Sequence, residues 1–335
     1  MLAKVKKFFK TLGPGLITGA SDDDPSGIAT YSQTGAQFGY SQLWTSVFSF
    51  PLMTVVQEMC ARIGLVTGRG LSRIIRKNYP RPVLYFSVTL LLVANSINIG
   101  ADLGAMAASV EMVTGVPFVG GLFFITALTI FLEVFVSYKT YAKFLKWLTL
   151  SLISYLFVGF VIRENWVLAL KSTIVPQFQF SKNYLLNIVA ILGTTISPYL
   201  YFWQTSSEVE EEVEEGKIKT MGQNPPYVTA SEIRHMHTDV ISGMFFSNLV
   251  MWFIIFTTAS TLFKNGIHTI ESAPQAAEAL RPIAGDFAYL LFALGIIGTG
   301  LLAVPVLAGS AAYAFSEAFG WKAGLYRRFK QAHGF

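Results

Sequence analysis

Charge is what this chain of 335 residues has least of: 13% of it is Asp, Glu, Lys or Arg, against about 25% in soluble domains. A large soluble domain is therefore excluded. Cysteine is nearly absent, with Cys60 alone, so disulfides and cysteine-built metal cages are excluded as well. No small-residue cleavage site follows the Lys4, Lys6, Lys7 and Lys10 cluster, so no cleavable signal peptide is read and the first apolar run is expected to stay in the membrane. The formal charge of +5 forms no patch for nucleic acid, because the basic residues sit at the ends of apolar runs. Neither a nucleic-acid partner nor an obligate protein partner is expected. What abounds is apolar: 53% of residues are hydrophobic, with 28 Phe and 14 Tyr. The lipid bilayer is the partner this composition calls for.

At about 20 apolar residues per crossing, the chain reads as an all-α polytopic membrane protein with eight spans, over 13–38, 42–66, 83–110, 118–138, 145–163, 185–206, 238–263 and 284–316. The positive-inside rule supports that count. With the N-terminus in the cytoplasm, the opposite side keeps only Arg163, Lys171, Lys182, Lys264 and Arg281 of the 25 Lys and Arg. The plasma (inner) membrane is the expected location. Segment 164–184, with Trp166, Phe178 and Phe180, is expected to lie along the interface as a loop or short helix. The glutamates Glu208, Glu210, Glu211, Glu212, Glu214 and Glu215 read as a solvated helix extension within a cytoplasmic acidic loop over about 207–237. Cation attraction at a pathway exit is the sharper alternative. His235 and His237 are placed in that loop, and Glu58 and Glu133 are expected to pair between helices.

Two spans are interrupted. The first carries Asp22-Asp23-Asp24 followed by Pro25-Ser26-Gly27, although a charge at mid-membrane costs about 2.5–3.5 kcal/mol on insertion scales. The sixth is broken near Gly193 and Pro198. Irregular backbone at membrane depth survives only where protein buries it or where it lines a cavity. Two such breaks in corresponding spans, one loaded with acids, form the pattern of an inverted-repeat transporter with a cation site at the midplane.

The same residues resemble a known family, the natural-resistance-associated macrophage proteins (Nramp), which are divalent-metal transporters. Gly13-Pro14-Gly15 and Asp24-Pro25-Ser26-Gly27 are similar to that family's Gly-Pro-Gly and Asp-Pro-Gly-Asn. Gly64-Leu65-Val66-Thr67-Gly68-Arg69, Ala101-Asp102-Leu103 and Thr194-Thr195-Ile196-Ser197-Pro198-Tyr199 resemble its motifs in spans two, three and six. The resemblance implies a LeuT-type fold of two inverted five-helix units. In this chain, taken as a single transporter domain over 1–335, repeat one covers about 10–165 and an incomplete repeat two about 185–320. The resemblance also implies a metal site: Asp24 as carboxylate ligand, Gly27 where the family has Asn, Thr194 offering a backbone oxygen, and Ser197 where the family has Met. Asp22, Asp23, Asp102 and Tyr199 are candidates to line the route or orient the ligands; Tyr199 stands where the family has His.

An all-oxygen site suits a hard ion, Mg²⁺ or Mn²⁺, where a thioether prefers softer metals. The losses of Asn and Met are expected to widen the pocket for a partly hydrated ion, as in the Nramp-related magnesium transporters. Proton coupling is weakened, since Tyr199 and Ala105 replace titratable family residues and tyrosine ionises near pH 10. No cofactor is expected beyond the metal carried as substrate, and no enzyme, because the Gly-x-Gly-Asp signature of an intramembrane aspartyl protease is missing. The family has at least ten spans, so the chain reads as short. The alternatives are a metal-binding sensor or scaffold that does not transport, or an inactive fragment of a longer Fe²⁺/Mn²⁺ transporter.

Overall fold

A computed structural model describes residues 13–136, 138–162, 166–223, 225–327 and 329–335. The lysines before residue 13, Arg163 and Arg328, which entered the orientation argument, lie outside these residues. Among the described residues the regular structure is helical.

The first span is two short helices, α1 (Pro14–Ser21) and α2 (Pro25–Phe38), parted at Asp22-Asp23-Asp24. Each opens on a proline, which cannot continue a preceding helix but suits a first turn. There follow α3 (Trp44–Thr67), α4 (Leu71–Asn78), α5 (Arg81–Thr114), α6 (Phe118–Phe135), α7 (Tyr138–Leu148), α8 (Ile153–Val161) and α9 (Trp166–Ile174). The sixth expected span is again two helices, α10 (Lys182–Thr195) and α11 (Pro198–Glu214), parted at Ile196-Ser197 where Pro198 starts a new first turn. Then come α12 (Ala230–Thr261) and α13 (Ala273–Phe319), the latter bent at Gly285, whose φ of +85° favours glycine.

Six of these helical stretches are long and apolar enough to cross a membrane: Arg81–Thr114, Phe118–Phe135, Ala142–Val161, Lys182–Glu214, Ala230–Asn265 and Ala273–Phe319. The sequence led us to expect eight. The two not among them are the divided first span, with pieces of 8 and 14 residues, and α3, a helix of 24 residues that carries Gln57, Glu58 and Arg62.

The core is built around α12. From Val250 to Thr261 every residue of it is buried, which marks a helix surrounded by protein on all sides. It packs on α1, α2 and α3, while α13 runs along α5 and α11. Contact with α1 is backbone to backbone: a Cβ on Gly19 would overlap the main chain of Gly243, and one on Gly15 would stand 2.7 Å from the Val240 amide. Gly15 and Gly19, four apart, form the small-residue stripe that lets membrane helices approach closely. On the outside α6 exposes Phe123, Phe124, Phe131 and Phe135, a face suited to lipid.

Three expectations about loops and acids need correction. About half of the acidic segment 207–237 is helix, at the end of α11 and the start of α12. Its acids are not simply solvated, because Glu208, Glu210 and Glu212 are buried. Glu210 alone accepts hydrogen bonds from Tyr313 Oη (2.5 Å), Leu325 N (2.7 Å) and Tyr326 N (3.2 Å). His235 and His237 are helical rather than in a loop, because a capping box starts α12: Thr229 Oγ1 accepts from the Glu232 amide and Glu232 Oε2 from the Thr229 amide. His237 Nδ1 then lies 2.9 Å from Glu58 Oε2, between α12 and α3, so Glu58 does pair between helices. Glu133 instead lines a cavity with Arg327 and His333. Segment 164–184 contains a short helix, α9; Trp166 at its start packs against Phe256, ring centroids 4.8 Å apart, while Phe180 is 91% exposed.

Candidate metal centre

The break in the first span follows from capping. Asp24 is the N-cap of α2: its Oδ1 accepts from the Gly27 amide at 2.6 Å and from Ser26 Oγ at 2.8 Å. Aspartate is among the best N-cap residues, and the proline after it removes one amide that would otherwise need a partner. Asp24 is therefore held by its own helix, with its other oxygen left over.

Gly27 brings the two breaks together. A Cβ there would stand 3.2 Å from Asp22 O, Asp24 Oδ1 and Thr194 Oγ1 alike. The glycine thus sits where three oxygen atoms converge from α1, α2 and α10. It was expected to leave a wider pocket; in the structure the oxygens have closed over it. Thr194 also differs in detail from expectation. The atom facing Gly27 is its hydroxyl, while its carbonyl, the predicted ligand, accepts from Ser197 Oγ at 2.7 Å. Ser197, in the break, also donates to Gly193 O at 3.1 Å, so its hydroxyl is turned back onto the end of α10.

The other predicted residues are close by and buried. Tyr199 crosses from α11 to the end of α1, its hydroxyl donating to Ser21 O at 2.7 Å. Asp102 on α5 accepts from the Ser26 amide at 3.2 Å. Asp22 accepts from Ser247 Oγ at 3.0 Å. Asp22 and Asp23 are both buried. Asp22 Oδ1, both oxygens of Asp23 and Asp102 Oδ2 are buried with no hydrogen-bond partner. None of these acids has a salt bridge among the described residues.

Sequence reasoning missed Ser26, Ser247 and Asp239. Ser26 was readable as part of an Asp-Pro-Ser helix start. The other two come from α12, far away in sequence. Among the described residues no group of three or more His, Cys, Asp or Glu side chains is arranged to hold a metal ion. A cation held here would meet few carboxylates and mainly neutral oxygens.

The sequence profile of the natural resistance-associated macrophage protein-like family, Nramp, matches residues 15–332. The chain belongs to the Nramp family. Its Nramp relatives include the divalent metal cation transporter MntH of Deinococcus radiodurans, 27% identical over 91% of this chain and 69% of that protein. MntH of Mesorhizobium japonicum is 28% identical over 88% of this chain and 64% of its own length. The chain thus spans about two thirds of these relatives. Among solved structures, the Eremococcus coleocola manganese transporter, in complex with an aromatic bis-isothiourea substituted compound, shares the fold. Its TM-score is 0.75 at 18% identity, over 96% of this chain and 68% of that one. Nramp proteins are membrane metal transporters and not enzymes.

Proposed function

We propose that this Nramp chain carries a divalent metal cation across the membrane, bound at the midplane between the two helix breaks. Asp24 is the anionic ligand, Thr194 and Ser197 supply neutral oxygens, and Gly27 keeps side-chain carbon out of the space between them. The observation that carries the reading is the set of buried, unpartnered carboxylate oxygens on Asp22, Asp23 and Asp102 around Asp24. Buried anions without partners are expensive, and a cation bound at Asp24 beside them relieves part of that cost. The transporter names of the relatives favour this reading over a sensor or scaffold.

Only oxygen donors stand at the candidate site, which selects hard ions. Mn²⁺ is favoured by the solved manganese transporter. Mg²⁺ falls in the same donor class and keeps several waters, which suits a site with few carboxylates. The two halves are read as inverted repeats, with the breaks in α1–α2 and α10–α11 crossing in opposite directions. Transport is read as passive, since Tyr199 and Ala105 replace the family's titratable groups.

Flux of Mn²⁺ and Mg²⁺ into proteoliposomes tests the site. Asp24→Asn keeps a good N-cap but removes the charge, so flux is expected to fall tenfold or more with little loss of thermal stability. Asp24→Ala should lose flux and, in addition, about 1 kcal/mol of helix stability. Undiminished flux in both variants would overturn the assignment. Robust metal-driven proton entry would overturn passive transport.

A further inference from the structure

A cavity of ≈ 530 Å³ opens at the end of α1 away from the aspartates, where Pro14 and Ile17 face Glu208, Glu212 and Asp239. At ~1.5 Å per residue, the eight residues of α1 put this cavity about 12 Å from the break. Acids on its walls outnumber the lysines Lys143, Lys146 and Lys217. Glu208, Glu211 and Glu212 come from one face of α11, at spacings of three and four residues, and Glu215 follows just past its end.

Several of these acids are already engaged. Asp239 accepts from the amides of Gly13 (2.8 Å), Gly15 (2.7 Å) and Leu16 (3.2 Å). Glu215 and Glu232 share Lys217 at 2.6 and 2.5 Å. Burial works against the charge on Lys217, but these two hydrogen bonds outweigh it and raise its pKa above the ordinary lysine value. Glu208 accepts from Gln204 Nε2 at 2.8 Å. Glu212 differs. It is 1% exposed and lines the cavity, and neither of its carboxylate oxygens has a hydrogen-bond partner.

We propose that this cavity is a second cation site, in which Glu212 anchors a hydrated divalent cation between the start of α1 and the end of α11. The inference rests on reading the chain as a divalent-cation carrier. With no three acids or histidines converging to chelating geometry among the described residues, the ion keeps its water shell. Strongly hydrated divalent ions are commonly held in this way by one or two carboxylates, and the cavity has room for the shell. Surplus negative charge in a low-dielectric cleft also raises the local cation concentration.

Mn²⁺ binding to the full chain in nanodiscs of uncharged lipid, read by electron paramagnetic resonance, tests this. Wild type should show two classes of bound Mn²⁺. Asp24→Ala should remove the tighter class and spare the weaker, and Glu212→Gln should do the reverse. Lys217→Gln frees Glu215 and Glu232 and should tighten the weaker class by about threefold, the scale of an exposed ion pair. A single class in wild type, survival of the weaker class in Glu212→Gln, or no tightening in Lys217→Gln would overturn the second site. If Asp24→Ala leaves both classes intact while Glu212→Gln removes one, the central assignment fails and the cavity site stands.

Discussion

At the scale of single residues, Asp24 has two tasks and Gly27 sets the geometry between them. Asp24 Oδ1 caps α2 through the Gly27 amide and Ser26 Oγ, so the residue proposed as ligand is pre-oriented by the helix it starts. Positioning of this kind saves the ordering cost that a free side chain would meet on binding. A methyl group at Gly27 would meet three oxygens at 3.2 Å, closer than comfortable van der Waals contact. Gly27→Ala should push Asp24 and Thr194 apart by a few tenths of an ångström and reduce Mn²⁺ flux about tenfold, since small misplacements at a site are costly. Flux per folded molecule in proteoliposomes checks this; wild-type flux would show that the oxygens over Gly27 are not ligands.

At the scale of elements, α1 depends on α12. Its first turn offers three amides to the Asp239 carboxylate, a charge-assisted cap supplied by another helix. Asp239→Ala leaves those amides unpaired and should cost about 3 kcal/mol, seen as a lowered unfolding temperature and faster amide exchange at residues 15 and 16. The two helices also touch through glycine main chain, with no room for a Cβ on Gly243 against Gly15 O. Gly243→Val therefore meets backbone that cannot rotate away. It should destabilise by at least the ~1–3 kcal/mol typical of overpacking, measured by thermal unfolding in detergent; a change within error would mean that α1 can lift off α12 freely.

At the scale of the whole molecule, the orientation rests on the distribution of Lys and Arg. Between Phe180, which is 91% exposed, and exposed Lys219 lies one membrane-length stretch, Lys182–Glu214. Cysteines placed at 180 and 219 should react with a membrane-impermeant thiol reagent from opposite faces, position 219 from the cytoplasmic one. The single native thiol, Cys60, is buried and gives a quiet background. Labelling of both from one face would invalidate the crossing.

The sequence by itself determined the membrane class, the two helix breaks and the family. Each is encoded locally: long apolar runs, a proline after a polar or acidic break, and short motifs around Asp24 and Ser197. It also marked Asp24, because an acid at membrane depth is costly. What only the tertiary structure decided is which partners each acid receives. Asp22 meets Ser247, Asp102 meets the Ser26 amide, and Asp239 caps α1 from more than two hundred residues away. The glutamates after Pro198 looked alike in sequence, yet the Glu210 carboxylate accepts three hydrogen bonds and the Glu212 carboxylate none. Local pattern fixes where a helix starts and stops, but the fate of a charged side chain depends on what other helices bring against it.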